Sequence, residues 1–213
     1  MNKKMNIAKR GYLGSLLRFV LISEQWKDEL YACYTDRYLQ KYIDDHNCET
    51  IFQFKNKDEM ARCIGEWKQA CEENHYFRWV AETKNDHKII GTIEIASIPD
   101  TTNYISRVFN KKPGTFVDNP THLFEQGVQN GVLRIDIISS YAQGQIFDDI
   151  LKVTQNFFND YGLQQIIVQC LAKDKERRRA LERHGFETLK IEGEILYPYL
   201  IRRRSAADKG FKI

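Results

Sequence analysis

The sequence predicts an α/β or α+β domain built around one central sheet. Segments with the two-residue period of β-strands alternate along the chain with segments whose apolar residues recur at helical spacing. The chain has 213 residues, of which 42% are hydrophobic, so it can bury a sizeable core. Neither an internal repeat nor a low-complexity segment is present. This alternation is typical of a sheet flanked by helices, and a single domain is the simplest organisation.

The first third of the chain predicts a strand and two helices. Residues 16–22 form an apolar run of strand length, and Ser23 follows it as the N-cap of a helix in which large apolar residues recur every four positions. A second helix is predicted over residues 57–73. Its inward face consists of Met60, Ile64, Trp67 and Cys71.

The middle of the chain predicts a β-hairpin and then an irregular insertion. Residues 77–82 and 88–95 have strand character, and a polar turn joins them. From about residue 99 to residue 130 no periodic pattern is present. An irregular stretch of this length indicates either a loop that shapes a binding site or a disordered insertion, and the sequence does not decide between them.

The most informative segment begins with the strand at residues 132–138. Leu133, Ile135 and Ile137 lie on one face, while Arg134 and Asp136 lie on the other, which predicts a half-buried strand.

A turn at residues 141–146 follows, and a helix whose apolar face extends from residue 147 to residue 161. Gly144 lies in that turn. A glycine between a strand and a helix lets backbone amides approach an anion, which the helix dipole also favours.

The last part of the chain predicts a buried strand, a short helix and two further strands. Residues 164–171 contain an Ile-Ile-Val run that is typical of the middle of a sheet. Asp174 is the expected N-cap of the next helix, and Gly185 is its expected end. The final two strands are predicted to join near residues 192–193.

Composition excludes some classes of function. The formal charge of +3 is too small to imply nucleic-acid binding, and we expect no nucleic-acid partner. Arginine runs at 177–179 and 202–204 are most simply solvated faces, and contact with phosphates or an acidic partner is the alternative. No segment has the length and apolarity of a signal peptide or membrane span, so no membrane partner is expected.

The cysteines favour a reducing compartment. There are five, an odd number with no CxxC pair: Cys33, Cys48, Cys63, Cys71 and Cys170. We therefore expect reduced thiols in a cytoplasmic protein, with neither a disulfide framework nor a metal site. Cys170, on the buried strand, is most simply a small apolar residue.

The order of these elements resembles the Gcn5-related N-acetyltransferases (GNAT superfamily), most of all the ribosomal-protein N-terminal acetyltransferase group. The resemblance rests on LLRF at 16–19, FRWVA at 77–81, IGTI at 90–93, QGQ at 143–145 and LERHGF at 181–186. It covers residues 13–204 as one domain apart from the insertion, and leaves 1–12 as an N-terminal extension and 205–213 as a tail. It implies a mixed, mostly antiparallel central sheet flanked by helices.

The resemblance further implies that acetyl-CoA is bound as cosubstrate, with its pyrophosphate on the turn at residues 141–146. The amides of Gln143, Gly144, Gln145 and Ile146 would then face the phosphates. Tyr141 replaces the family's Gln or Arg, and Ile146 replaces its Gly or Ala, so the turn matches the family pattern only at Gly144. The bulk of Ile146 would crowd a cofactor.

Further residues are assigned to the cofactor by this resemblance. Asp174 and Arg177 fall where the family often has an asparagine and a serine that touch the pantetheine arm. Arg177 and Arg178 would instead pair with CoA phosphates, and Asp174 is equally well explained as a helix cap. Backbone groups at Ile137 and Ile138 would polarise the thioester carbonyl.

The implied reaction is direct attack of an amine on the thioester, which requires a base and an acid. Glu94 is the first candidate base and Asp136 the second, although either is also explained as an exposed strand residue or as half of a cross-strand pair with Arg134. His122 is a further candidate if the insertion folds over the site.

For the acid, the family uses a tyrosine near the cofactor. Tyr197 is the candidate, ahead of Tyr199 and Tyr141, and all three are also explained as packing aromatics.

Two hypotheses about function remain open at the level of sequence. The first is an N-acetyltransferase that acts on a primary amine of a small molecule or a protein N-terminus. The second is a catalytically weakened protein of the same fold that binds CoA or a partner as a sensor. The sequence does not identify the acceptor, and a homodimer is one possible assembly.

Overall fold

The computed structural model of the chain describes residues 11–37, 39–40, 52–98, 128–189 and 198–209. Several sequence predictions lie outside these ranges. They are the candidate acid Tyr197, His122, Cys48, most of the insertion at 99–130 and the strand junction near 192–193.

Within the described residues, eight strands form one sheet in the order β1-β2-β3-β4-β5-β6-β8-β7. They are β1 (Tyr12–Leu13), β2 (Leu17–Leu21), β3 (Tyr76–Thr83), β4 (Ile89–Ile98), β5 (Asn130–Ile137), β6 (Gln165–Gln169), β7 (Glu187–Thr188) and β8 (Tyr199–Arg203). Only β5 and β6 of these neighbours pair in parallel. The predicted mixed, mostly antiparallel sheet is therefore confirmed.

The described helices are α1 (Lys27–Tyr34), α2 (Lys57–Glu72), α3 (Gly144–Thr154), α4 (Phe157–Asp160) and α5 (Lys175–Arg183). The predicted inward face of α2 is confirmed, because all four of its residues are buried. The single helix expected from residue 147 to residue 161 is divided after Thr154 into α3 and α4. Ser23 caps a short 3-10 turn, Glu24–Trp26, that precedes α1.

The helices cover both faces of the sheet. Trp79 of β3 stacks on Phe157 of α4 with ring centroids 5.3 Å apart. Its neighbour Arg78 lies under Trp67 of α2, with the guanidinium carbon 3.9 Å from the ring centroid. Because successive strand residues point to opposite faces, α1 and α2 lie on one side of the sheet and α3 and α4 on the other.

Strand β5 is buried on both faces, which corrects the prediction of a half-buried strand. Its apolar residues face α3, and Arg134 and Asp136 face α1 and α2 with exposures of only 4% and 5%. Charged side chains tolerate this burial when they are paired with one another. The alternation of apolar and charged residues was correctly predicted, but the charged face of β5 is buried as well as the apolar one.

Candidate active site

A gap opens in the sheet where β5 and β6 diverge. Their parallel pairing ends at Leu133 and Val168, yet β5 continues to Ile137. Residues 134–137 of β5, together with the end of β6, form the feature that is called the splay from here on. Backbone groups on this side of β5 have lost the strand that would otherwise pair with them, so they are accessible to another hydrogen-bonding partner.

The hydrogen-bond pattern shows which peptide groups face the splay. The amide of Ile138 donates to the Ile90 carbonyl of β4 at 2.9 Å. Alternate residues of an antiparallel strand direct their backbone groups to opposite neighbours, so those of Ile135 and Ile137 point away from β4 and toward the splay. The amide of Ile137 therefore faces the splay, whereas that of Ile138 is engaged by β4.

Gly91 fixes the position of β5 at this point. It pairs with Ile137 and has φ of +144°, a conformation that L side chains rarely adopt. A β-carbon at Gly91 would also collide with the carbonyl oxygen of Asp136. Only glycine allows the two strands to approach so closely beside the splay.

The turn after β5 leads directly into the N-terminus of α3. A 3-10 turn (Ser139–Tyr141) has Ala142 as its C-cap, and Gly144 is the first residue of α3. The amides of Ile146 and Phe147 both donate to the Gln143 carbonyl at 3.1 Å. Gly144 and Gln145 therefore occupy the positions whose amides lack an intrahelical acceptor, which suits them to bind an anion.

The side chains of this turn point in different directions. Ile146 is 6% exposed and belongs to the hydrophobic core, so its bulk is directed inward. The Tyr141 hydroxyl donates to Asp86 of the β3–β4 turn at 3.4 Å. A β-carbon at Gly144 would lie 3.3 Å from the Glu176 carboxylate and 3.5 Å from the Arg183 guanidinium.

On the α1 and α2 side, five residues from four elements form a buried polar cluster: Tyr34, Arg78, Glu94, Arg134 and Asp136. Asp136 accepts hydrogen bonds from Arg134 Nε at 2.8 Å and from the Tyr34 hydroxyl at 2.9 Å. Arg78 donates to the Tyr34 hydroxyl at 2.8 Å and forms an ion pair with Glu94. Two of its members, Arg134 and Asp136, belong to the segment of β5 that borders the splay.

The two candidate bases in this cluster have different surroundings. Burial raises the pKa of Asp136, but the charges of Arg134 and Arg78 together lower it by more than burial raises it. The pKa of Asp136 therefore lies below the usual value. Asp136 is thus held as a carboxylate and is a poor proton acceptor. Glu94 lies at the edge of the cluster, where 16% of its side chain is exposed. Of the two carboxylates, Glu94 is the one that an acceptor could reach.

Tyr34 holds the cluster together from α1. Burial and the charge of Asp136 raise the pKa of Tyr34 well above its usual value, so its hydroxyl remains a hydrogen-bond donor. Phe52 and Trp67 line the cluster, with Arg134 above the Phe52 ring at 4.7 Å. These cation–π contacts help to offset the desolvation of the guanidinium groups.

Comparison with known proteins assigns the fold. No family model matches the sequence, and no curated protein matches it either. Among solved structures, the chain is similar to a ribosomal-protein-S5-alanine acetyltransferase from Vibrio fischeri (TM-score 0.62, 14% identity, 92% of this chain and 98% of that one). It is also similar to FdhC, a nucleotide-linked sugar GNAT (TM-score 0.60, 13% identity, 92% of this chain and 91% of that one).

The chain has the GNAT fold. A further match is RimL, a ribosomal α-N-protein acetyltransferase solved in complex with coenzyme A, with a TM-score of 0.62 at 9% identity over 90% of this chain and 96% of that one. Identities this low show the fold and leave the activity open. The GNAT resemblance that the element order predicted is therefore confirmed for the architecture.

Within the GNAT fold, Asp174 and Arg177 lie beside the splay. Asp174 is the N-cap of α5, as predicted, and accepts the Arg177 amide at 3.2 Å. Its carboxylate also lies 3.3 Å from Arg177 Nε. Arg177 as a whole is 6% exposed, and its guanidinium donates to the Ile135 carbonyl at 3.0 Å. This arginine is thus directed into the protein, toward β5.

Two important members of the polar cluster, Tyr34 and Arg78, were not singled out from the sequence. An indication was present in the hairpin, because aligning its strands places Arg78 opposite Glu94 on the face that also carries Asp136. Nothing in the sequence around Tyr34 distinguishes it from an ordinary core tyrosine on an apolar helix face.

The remaining candidates have structural explanations. Each arginine of the two runs has an intramolecular partner: Arg177 with Asp174, Arg178 with Thr188, Arg179 with Glu176, Arg202 with Asp208, Arg203 with Glu187 and Arg204 with Asn159. Cys170 is 1% exposed, and burial raises the pKa of its thiol to about 12. It is therefore an inert core residue.

A groove of about 530 Å³, separate from the splay, lies between the β1–β2 turn and α3. Its carboxylate, Asp149, accepts hydrogen bonds from the amides of Ser15, Leu16 and Leu17 at 2.6 to 2.9 Å. That side chain is therefore committed to holding the turn against α3.

Across the described ranges, no helix has the length and apolarity to cross a membrane, and no cluster of three or more His, Cys, Asp or Glu side chains is arranged to hold a metal ion.

Proposed function

We propose that this protein is an N-acetyltransferase that binds acetyl-CoA in the splay and transfers the acetyl group to a primary amine. The observation that carries the proposal is the pair of backbone sites that converge there. The Ile135 and Ile137 peptide groups face the splay, and the α3 N-terminus at Gly144 and Gln145 lies just beyond the end of β5. Such an arrangement suits an extended ligand with an anionic end.

The backbone of the site suits the cofactor, whereas two of its side chains stand in the way. The main chain supplies amides for a phosphate and for a thioester carbonyl, and Ile146 is directed into the core instead of toward the turn. Side chains of α5 oppose the ligand, because Arg177 occupies the splay and Glu176 lies beside Gly144. Binding requires these two side chains to move.

Acetyl-CoA would supply an activated thioester, and this chain would supply position and proton transfer. We assign the oxyanion contact to the amide of Ile137, which faces the splay. The candidate base is Glu94, which must loosen its ion pair with Arg78 before it accepts a proton. Asp136 is a positioning residue in this proposal, because it fixes Arg134 and Tyr34 behind β5. Tyr197 is kept as the candidate acid on the basis of the resemblance alone.

The acceptor is proposed to be a small-molecule amine or a protein N-terminus. The solved structures with this fold include proteins described as acting on a ribosomal protein or on a nucleotide-linked sugar. These are different acceptor classes on one scaffold, so the scaffold does not choose between them.

The second candidate is a CoA-binding sensor or interaction module without efficient catalysis. It is favoured by one specific observation: both candidate carboxylates, Glu94 and Asp136, are in ion pairs with buried arginines. A carboxylate held in such a pair must leave its partner before it can contact an acceptor amine. The two candidates predict the same ligand and differ only in turnover.

Calorimetry with acetyl-CoA and with desacetyl CoA tests the proposal first. We expect measurable heat with both ligands. The absence of heat and of any thermal shift at millimolar ligand would remove both candidates together. Where binding is present, release of free thiol across a panel of small amines and of peptides with free N-termini separates them. Thiol release that depends on an amine supports the enzyme, and binding without release supports the sensor.

A further inference from the structure

We infer that Arg177 is a built-in competitor for the splay, whose side chain must leave the Ile135 carbonyl before the cofactor arm can enter. This inference rests on the proposed function, since it concerns the same site. It identifies Arg177 as the residue that determines cofactor affinity. It differs from the sequence expectation, in which Arg177 pairs with CoA phosphates.

The position of the guanidinium supports this role. Arg177 Nη1 donates to the Ile135 carbonyl oxygen at 3.0 Å, and the residue is almost completely buried. That carbonyl faces the splay because β6 no longer pairs with β5 there. The arginine therefore satisfies an acceptor that an extended ligand in the splay would otherwise use.

The side chain is held from two further directions. Its Nε lies 3.3 Å from Asp174, and its guanidinium carbon lies 5.1 Å from the centroid of the Phe147 ring in α3. Asp174 also accepts the backbone amide of Arg177 as the N-cap of α5. One carboxylate thus fixes both the backbone and the side chain of Arg177, and it orients the guanidinium toward β5.

The same turn of α5 places a negative charge near the proposed phosphate site. The Glu176 carboxylate would lie 3.3 Å from a β-carbon at Gly144, where α3 begins. A carboxylate at a helix N-terminus takes the place that an anionic ligand would take. Arg177 and Glu176 are consecutive residues, so a single rearrangement of the first turn of α5 would release both obstacles.

The expected effect follows from the population of the open form. When only a fraction of the molecules is competent, the apparent dissociation constant equals the intrinsic constant divided by that fraction. Removing a hydrogen bond that involves a charged group typically changes an equilibrium constant by about 10- to 100-fold. We therefore expect removal of the guanidinium to tighten cofactor binding by about that factor.

The test compares four proteins: the wild type, Arg177→Ser, the double variant Asp174→Asn with Arg177→Ser, and the control Arg178→Ser. Asparagine still caps α5, and it avoids a buried carboxylate without its partner. Arg178 lies on the same helix but contacts Thr188, so its loss removes a charge without opening the splay. The dissociation constants for desacetyl CoA are measured by calorimetry, and thermal melting confirms that each variant is folded.

We expect the double variant to bind about 10- to 100-fold more tightly than the wild type, and Arg178→Ser to bind no more tightly. Binding by the double variant alone would also support the inference. A folded double variant that binds no better than a wild type that does bind would overturn the inference and leave the proposed function intact. Absence of binding by every protein at millimolar CoA would overturn both.

Two additions keep the test decisive. If the serine variants do not fold, Arg177→Met retains most of the packing without a donor, and it should still bind more tightly than the wild type. Stopped-flow association gives a readout that a purely structural role would not change. The observed rate for the wild type should reach a plateau as CoA rises, because opening precedes binding, and that plateau should vanish in the double variant.

Discussion

Replacing Asp136 with asparagine tests whether buried charge holds the polar cluster together. Asp136 is 5% exposed, accepts from Arg134 at 2.8 Å and from Tyr34 at 2.9 Å, and lies 3.8 Å from Arg78. The substitution leaves two buried guanidinium groups with one carboxylate. Removing one partner of a buried ion pair costs about 3 to 5 kcal/mol, which for a domain of this size lowers Tm by about 6 to 20 °C.

The assay is urea unfolding followed by fluorescence, with thermal melting as a second measure. Asp28→Asn is the matched control, because Asp28 pairs with Lys57 at 3.2 Å and both side chains are more than half exposed. An exposed pair of this kind contributes less than about 1 kcal/mol. If Asp136→Asn destabilises the protein no more than Asp28→Asn does, the cluster is not held by buried charge.

The pH dependence of stability is a second test of the role of the Asp136 charge. Burial raises the pKa of Asp136, but Arg134 and Arg78 lower it more, so the folded value lies below the unfolded value of about 3.9. The stabilisation is therefore complete above the unfolded pKa and is lost as pH falls through the folded pKa. Asp136→Asn should show a weaker loss of stability in acid. An unchanged acid dependence would contradict the assignment.

Three further predictions concern catalysis, the fold and the thiols. Glu94→Gln should lower turnover with little change in CoA affinity and should flatten the acid limb of the pH–rate profile; an unchanged profile would remove its role as base. Gly91→Ala should lower the free energy of unfolding by more than about 1 kcal/mol, because the β-carbon meets the Asp136 carbonyl, whereas Gly65→Ala in α2 has open space and should stabilise by up to about 1 kcal/mol; equal effects would contradict the close approach. Cys170 should resist iodoacetamide at pH 8 until denaturant is added, since burial raises its pKa to about 12; rapid labelling of the native protein would show that its strand is more open.

The sequence was sufficient for the elements whose period is clear. The inward face of α2 and the β3–β4 hairpin could be predicted, because four-residue and two-residue spacings report directly on helices and strands. The cap at Asp174 could be predicted because an aspartate just before a helix is a common N-cap. These features depend on residues close together in the chain.

The burial of β5 could not be predicted in the same way. Arg134 and Asp136 alternate with apolar residues, as on a strand with one face in solvent, and charged residues are rarely buried. Their burial depends on Arg78 from β3 and on Tyr34 from α1, which are distant in sequence. Partners of this kind become apparent only once the strands are in register.

The direction of the side chains around the proposed cofactor site could not be predicted from the sequence. Counting back from Gly185 and Phe186 assigned Arg177 to the proposed site, and in the structure its guanidinium points into the splay. Ile146 illustrates the same difference, since a bulky residue in the turn suggested crowding, yet its side chain packs in the core. Side-chain direction depends on the local backbone, which a residue pattern does not specify.

Amide hydrogen exchange with and without desacetyl CoA tests the central claim, that the splay and the α3 N-terminus form the CoA site, most directly. Gly144 and Gln145 head α3, where amides have no intrahelical acceptor and should exchange rapidly in the free protein. We expect CoA to slow exchange in peptides that span residues 134–147 and to leave the groove at Leu13 and Lys152 unchanged. Protection confined to that groove, or CoA binding without protection at 134–147, would contradict the account.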